Sequence, residues 1–95
     1  MTDRPLLRVI AYDVASDKRR RKLADALEDA AVRVQESVFE ARLTDRQVER
    51  LMARLQRLTG AGDSLRLYTV PDGALDKCRT EGGPAISGGA RYWLL

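Results

Sequence analysis

The chain has no histidine and only one cysteine, Cys78. One thiol cannot close an internal disulfide, and without histidine the Cys/His spacing of a zinc site cannot be assembled. Acid–base or metal chemistry must rest on carboxylates, tyrosine, lysine or that single thiol. Nothing around Cys78 in the sequence activates it, so it is not assigned as a nucleophile. No signal-peptide h-region opens the chain, and no apolar stretch approaches the roughly 20 residues needed to span a bilayer. The expectation is a cytoplasmic protein with no membrane partner. A large excess of one charge is also lacking: 17 Lys and Arg stand against 14 Asp and Glu, for a net +3. That balance permits nucleic-acid binding without demanding it, so placement matters more than the sum.

The 95 residues, 44% hydrophobic and 33% charged, suit one domain, residues 1–95. A chain of this size buries roughly 60–65% of its unfolded surface, so a subunit interface would help. Leu6 to Tyr12 (LLRVIAY), broken only by Arg8, reads as a central strand buried on both faces. Asp13 stands at its C-terminal end. Ser16 caps a helix whose apolar stripe runs over residues 17–30. From Val32 to Leu43 the strand alternation changes phase near Gln35 to Ser37, which calls for a tight hairpin or a bulge. Two strands joined by a tight turn are expected. Thr44 and Gln47 form a capping box before Val48, Leu51, Met52, Leu55 and Leu58, and Gly60 and Gly62 end that helix. Leu65 to Val70 is a further strand closed by Pro71, and Ala74 to Thr80 reads as a short strand.

The order β-α-β-β-α-β is the ferredoxin-like, α+β arrangement, with both helices on one face of an antiparallel sheet. The core occupies about residues 6–72. The free face must be solvated or covered by a partner, with Phe39, Tyr68 and Trp93 as candidate surface. The extension 73–95 ends in RYWLL, too apolar to hang free, and is expected to add an edge strand, crossing to a second subunit.

Three stretches, VIAYDV with DKRRRKLADAL (9–27), VRVQESVFEARLT (32–44) and LRLYTV, resemble together the second universal CRISPR-associated family, Cas-two. The resemblance covers about residues 6–72. It implies a ferredoxin-like fold and a two-fold homodimer placed between integrase subunits, holding DNA during spacer acquisition. It also implies a metal-dependent endonuclease acting on RNA or double-stranded DNA. The chain departs from the family pattern at Glu36, where an aromatic often follows the glutamine, and after Pro71, where no motif matches.

Asp13 is the principal candidate for chemistry. Hydrolysis of a phosphodiester with Mg²⁺ needs hard oxygen ligands, often one or two carboxylates with water and phosphate. One chain supplies a single aspartate, and a two-fold axis beside the strand end would bring in the second. The family's metal ligand falls on Asp13, so the expected cofactor is one Mg²⁺ shared by both copies; the alternative is an aspartate that ends a strand and caps a turn. The resemblance puts Tyr12 in support of that site, although a core tyrosine fits equally. Lys18 to Lys22 are five consecutive basic residues spread around the helix, with Arg19, Arg20 and Lys22 as candidate nucleic-acid contacts or a solvated face. By family position Arg33 neutralises phosphate, Ser37 donates a hydrogen bond, and Phe39 supports the dimer centre and the nucleic-acid surface, or simply packs the core. Arg42, Arg46, Arg50, Arg54 and Arg57 give the second helix a basic outer face suited to duplex backbone.

The competing functions are a DNA-holding scaffold, an Mg²⁺-dependent endonuclease, a stand-alone toxin-like ribonuclease of the same fold, and an RNA-recognition domain. The last lacks its stacking aromatics on adjacent strands.

Overall fold

The computed structural model describes residues 3–86. Its elements are β1 (Leu6–Asp13), α1 (Asp17–Glu28), β2 (Val32–Gln35), β3 (Val38–Leu43), α2 (Asp45–Gln56) and β4 (Ser64–Val70), followed by a 3₁₀ turn at Asp72–Lys77. The sheet order is β2-β3-β1-β4, with every neighbouring pair antiparallel. This is the ferredoxin-like α+β arrangement that the order of elements predicts.

Strand alternation gives the sheet two unlike faces. Ile10, Tyr12, Phe39, Ala41 and Leu43 point to one side, where they form a single cluster with Leu23, Ala26 and Leu27 of α1 and Leu51 and Leu55 of α2. Both helices therefore cover the same face. The other face carries Leu7, Val9, Ala11 and Asp13 from β1 and, in register with them, Val70, Tyr68, Arg66 and Ser64 from β4. Leu7 is buried there, Val9 and Ala11 are half-buried, and Tyr68 is 54% exposed. Burial on both sides of β1 thus fades toward Asp13.

Arg8, the one charge inside the β1 run, is 5% exposed. Its guanidinium donates to the Leu43 carbonyl at 3.1 Å, Thr69 Oγ1 at 2.9 Å and Asp45 Oδ1 at 2.9 Å. A buried charge is tolerated only when so partnered; here it ties β1, β3 and β4 to the start of α2.

The phase change has two causes. Glu36 and Ser37 make a tight turn, and the β2–β3 register also slips between Arg33 and Gln35. Ser16 caps α1 by accepting from the Arg19 N–H at 3.2 Å. Thr44 and Gln47 complete the reciprocal capping box of α2 at 2.8 and 3.2 Å. Gly62 adopts φ +83°, which side-chain-bearing residues resist, and so turns the chain toward β4.

Where a strand is expected at Ala74 to Thr80, the 3₁₀ turn runs to Lys77 and residues 78–80 are irregular. Pro71 offers no N–H to a ladder, and the Ala74 N–H closes back onto the Pro71 carbonyl at 2.9 Å. The edge strand expected from RYWLL, with Trp93, lies outside the described residues.

Candidate carboxylate site and nucleic-acid interface

Asp13 is exposed at the end of β1, opposite Ser64, on the face away from the helices. Among the described residues, no hydrogen bond or ion pair holds its carboxylate. Nor do the described residues contain a group of three metal-ligating side chains. At this strand end the described residues thus present a single free carboxylate. That suits Mg²⁺, which is held by one or two carboxylates with the rest of its shell from water and phosphate, but only if something else completes the site.

Tyr12, next in the chain, points the opposite way. Its ring is 6% exposed and stacks on Phe39 with centroids 6.2 Å apart. Phe39 has no exposed surface at all. The expectation that it joins Tyr68 on the free face, or touches nucleic acid, is corrected: it pairs in register with Ile10 and Arg33 on the helix side. Arg33 lies over that ring at 5.5 Å and donates to the Glu36 carbonyl at 3.0 and 2.6 Å, so it closes the hairpin turn. The Ser37 carbonyl accepts from the Tyr12 N–H at 3.1 Å.

A groove of about 320 Å³ between α1 and this turn is lined by Tyr12, Arg20, Arg33 and Ser37, with the acids Asp25 and Glu28. Four of the sequence-predicted residues therefore meet, and Asp13 is not among them. Within one chain, Tyr12 and Ser37 do not form a constellation with the aspartate.

The basic run of α1 is divided in its use. Arg19 Nε donates to Asp63 Oδ2 at 2.8 Å and Nη2 to Oδ1 at 3.3 Å, while the Gly60 N–H reaches the same Oδ2 at 2.7 Å. The Arg19 hydrogen bond, helped by that N–H, holds the Asp63 carboxyl below the usual carboxylate range against the opposing effect of burial. A Cβ at Gly60 would meet the Arg19 guanidinium at 3.1 Å, so the glycine admits this close approach. Arg20 Nη1 donates to the Val14 and Ala15 carbonyls, both at 2.8 Å, and Nη2 pairs with Asp17. Lys22, with Lys18 and Arg21, stays exposed and takes part in no ion pair among the described residues.

Arg42 belongs to β3 and not to the second helix, contrary to its place in the expected basic face. It reaches Asp72 at 3.2 Å. Arg4 pairs with the same carboxylate and, more than Arg42, holds it below its ordinary range. Sequence reading missed Asp63 and Asp72 as anchors. The turn residues around Gly60 and Pro71 marked the loops, but partners 44 and 30 residues away leave no local signal.

The family model for CRISPR associated protein Cas2 matches residues 6–78. The CRISPR-associated endoribonuclease Cas2 3 of Synechocystis sp. is 40% identical over 82 residues, covering 85% of this chain and 89% of that protein. Among solved structures, hypothetical protein TT1823 from Thermus thermophilus superposes with a TM-score of 0.76 at 41% identity, covering 85% of this chain and 96% of its own. A chain of a partial Cas6-RT-Cas1–Cas2 complex matches with a TM-score of 0.72 at 27% identity, covering 86% and 91%.

Proposed function

Because this chain belongs to the CRISPR-associated Cas2 family, we propose that it serves CRISPR spacer acquisition as a homodimer that holds nucleic acid beside an integrase, and that it cleaves phosphodiesters with Mg²⁺. The observation that carries the reading is the Asp13 carboxylate, exposed and unpartnered among the described residues on the sheet face the helices leave open. Two neighbouring acids, Asp17 and Asp63, are by contrast each paired with an arginine.

A second copy would complete the site in two ways. It would cover an open face on which Tyr68 is half exposed, and it would contribute the second Asp13 that one chain lacks. When bound, Mg²⁺ supplies charge neutralisation at a phosphate and a more acidic water. Asp13 would hold the ion, and Lys22 with its exposed neighbours Lys18 and Arg21 would draw the polyanion by long-range attraction. Tyr12 acts at a distance: its stacking on Phe39 and its N–H bond to Ser37 fix the strand end from which Asp13 projects. Partnership with Cas1 is supported by the complex that contains the structural relative, and nuclease action by the name of the Synechocystis relative.

A non-catalytic scaffold is the second reading, favoured by the lack of a group of three metal-ligating side chains among the described residues. The two separate in one experiment. Purified wild type and Asp13→Asn are compared on RNA and on duplex DNA with Mg²⁺ or with EDTA, and both are tested for spacer acquisition in cells carrying the integrase. Cleavage that needs Mg²⁺ and Asp13 supports the nuclease. Acquisition that survives Asp13→Asn while cleavage disappears makes the scaffold primary. Wild type that cleaves neither substrate rules out the nuclease, and an Asp13→Asn protein that cleaves like wild type removes Asp13 from the site.

A further inference from the structure

The outer face of α2 is a second charged surface, unlike the rest of the molecule. At 100° per residue, Arg46, Arg50, Arg54 and Arg57 fall within an arc of about 80°, and they span about 16 Å along the axis. All four are exposed. Arg54 faces Asp29, the residue that caps the end of α1, at 3.6 Å, an open pair that water screens; the other three have no ion-pair partner among the described residues. The helix's acids do not cancel the row. Asp45 is turned about 100° from Arg46 and is bonded to Arg8, and Glu49 lies about 60° outside the arc.

We propose that this row binds the phosphate backbone of duplex DNA without reading sequence, on the side of the molecule opposite Asp13. It deepens the nucleic-acid reading above and rests on it. Duplex DNA offers one negative charge per about 1.7 Å of axis, so a straight row of about 16 Å can face several phosphates at once. Arginine forks match phosphate oxygens and carry no base specificity when directed at the backbone. An acidic protein is the poorer fit, because protein interfaces centre on apolar or aromatic anchors. The exposed positions of α2 between the arginines are Gln47, Glu49, Ala53 and Gln56, with no such anchor. Since α2 covers the helix face, the surface stays open when a second copy covers the sheet.

The test measures binding of a fluorescent 30-base-pair duplex to the full chain over a series of salt concentrations. It compares wild type with an Arg46→Gln/Arg50→Gln/Arg57→Gln variant and with the corresponding Arg→Lys variant, each checked for an unchanged thermal melt. We expect the Gln variant to lose about two to three units of salt slope and at least about tenfold in affinity, at roughly 0.9 units per phosphate contact. The Lys variant should keep most of the slope. Wild-type slope and affinity in the Gln variant overturn the proposal. So does displacement of the duplex by polyglutamate of equal charge as readily as by unlabelled duplex, which assigns the face to an acidic protein. If wild type itself shows no salt-dependent duplex binding, the broader nucleic-acid reading fails first.

Discussion

Helices α1 and α2 each run 12 residues, pack on the same sheet face, and begin with a side-chain cap and an aspartate in the first turn. Their outer surfaces differ. The first carries the conspicuous run KRRRK, yet two of its arginines are bound into the fold, to Asp63 and to the Val14 and Ala15 carbonyls. Its exposed Lys18, Arg21 and Lys22 share the helix and its C-terminal cap with Asp25, Glu28 and Asp29, of which Glu28 pairs with Arg33 and Asp29 with Arg54. The second has no basic run in its sequence, only arginines scattered at three- and four-residue steps, and these align on one exposed row. Local density of charge is thus a poor guide to a charged surface, and helical phase is a better one. Arg19, Arg20 and Arg33 find carbonyls or carboxylates of the adjoining loops, whereas Arg46, Arg50 and Arg57 stay exposed with no ion-pair partner among the described residues.

The largest effects should treat the two helices alike, because their inner faces are alike. Leu27 and Leu55 are both wholly buried in the same cluster. Leu27→Ala and Leu55→Ala should each cost about 2–5 kcal/mol in urea unfolding, a large part of the roughly 5–14 kcal/mol expected for a domain this size. A loss confined to one helix would show that the core is not shared.

The outer faces should then diverge. Arg19→Gln should lower the melting temperature by about 5 °C, because it frees Asp63 and the Gly60 loop. The same pair fixes a pH dependence. The Asp63 carboxyl is held below its ordinary value of about 4, so its stabilising contribution is complete above that value and is lost as pH falls through the lower, folded one. Between pH 5 and 3, Asp63→Asn should therefore lose less stability than wild type, read from urea midpoints. An equal loss in both proteins would remove the clamp from the account.

The smallest effect is expected on α2, with the opposite sign. Arg50 lies four residues from both Arg46 and Arg54, and like charges at that spacing repel. Arg50→Gln should leave stability unchanged or raise it by about 0.2–0.5 kcal/mol. A clear loss in the melt would mean that the row supports the fold after all.

Much of this was legible in the sequence, for physical reasons that can be named. Apolar periodicity and caps are local, so the six elements of the ferredoxin-like core, the Thr44–Gln47 box and the phase change near Gln35 could all be read from neighbouring residues. Asp13 could be placed at a strand end because LLRVIAY stops there. What could not be read depends on long-range closure. Phe39 alternates correctly for β3, yet which face the helices cover is decided by the whole sheet. Arg19 and Arg42 look like surface charge until Asp63 and Asp72 fold against them. The strand expected after Pro71 failed because a residue without an N–H, followed by Asp72 and Gly73, favours a turn over a ladder.

The most direct test of the division between charge that holds the fold and charge that meets a ligand is a paired measurement on single variants. Asp13→Asn, Arg19→Gln, Arg20→Gln, Arg46→Gln and Arg50→Gln would each be assayed for melting temperature and, in Mg²⁺, for duplex affinity. The account predicts that Arg19→Gln and Arg20→Gln lower the melting temperature, while Asp13→Asn, Arg46→Gln and Arg50→Gln melt like wild type and shift duplex binding. Loss of duplex binding by the α1 variants at an unchanged melting temperature, with the α2 variants binding normally, would contradict it.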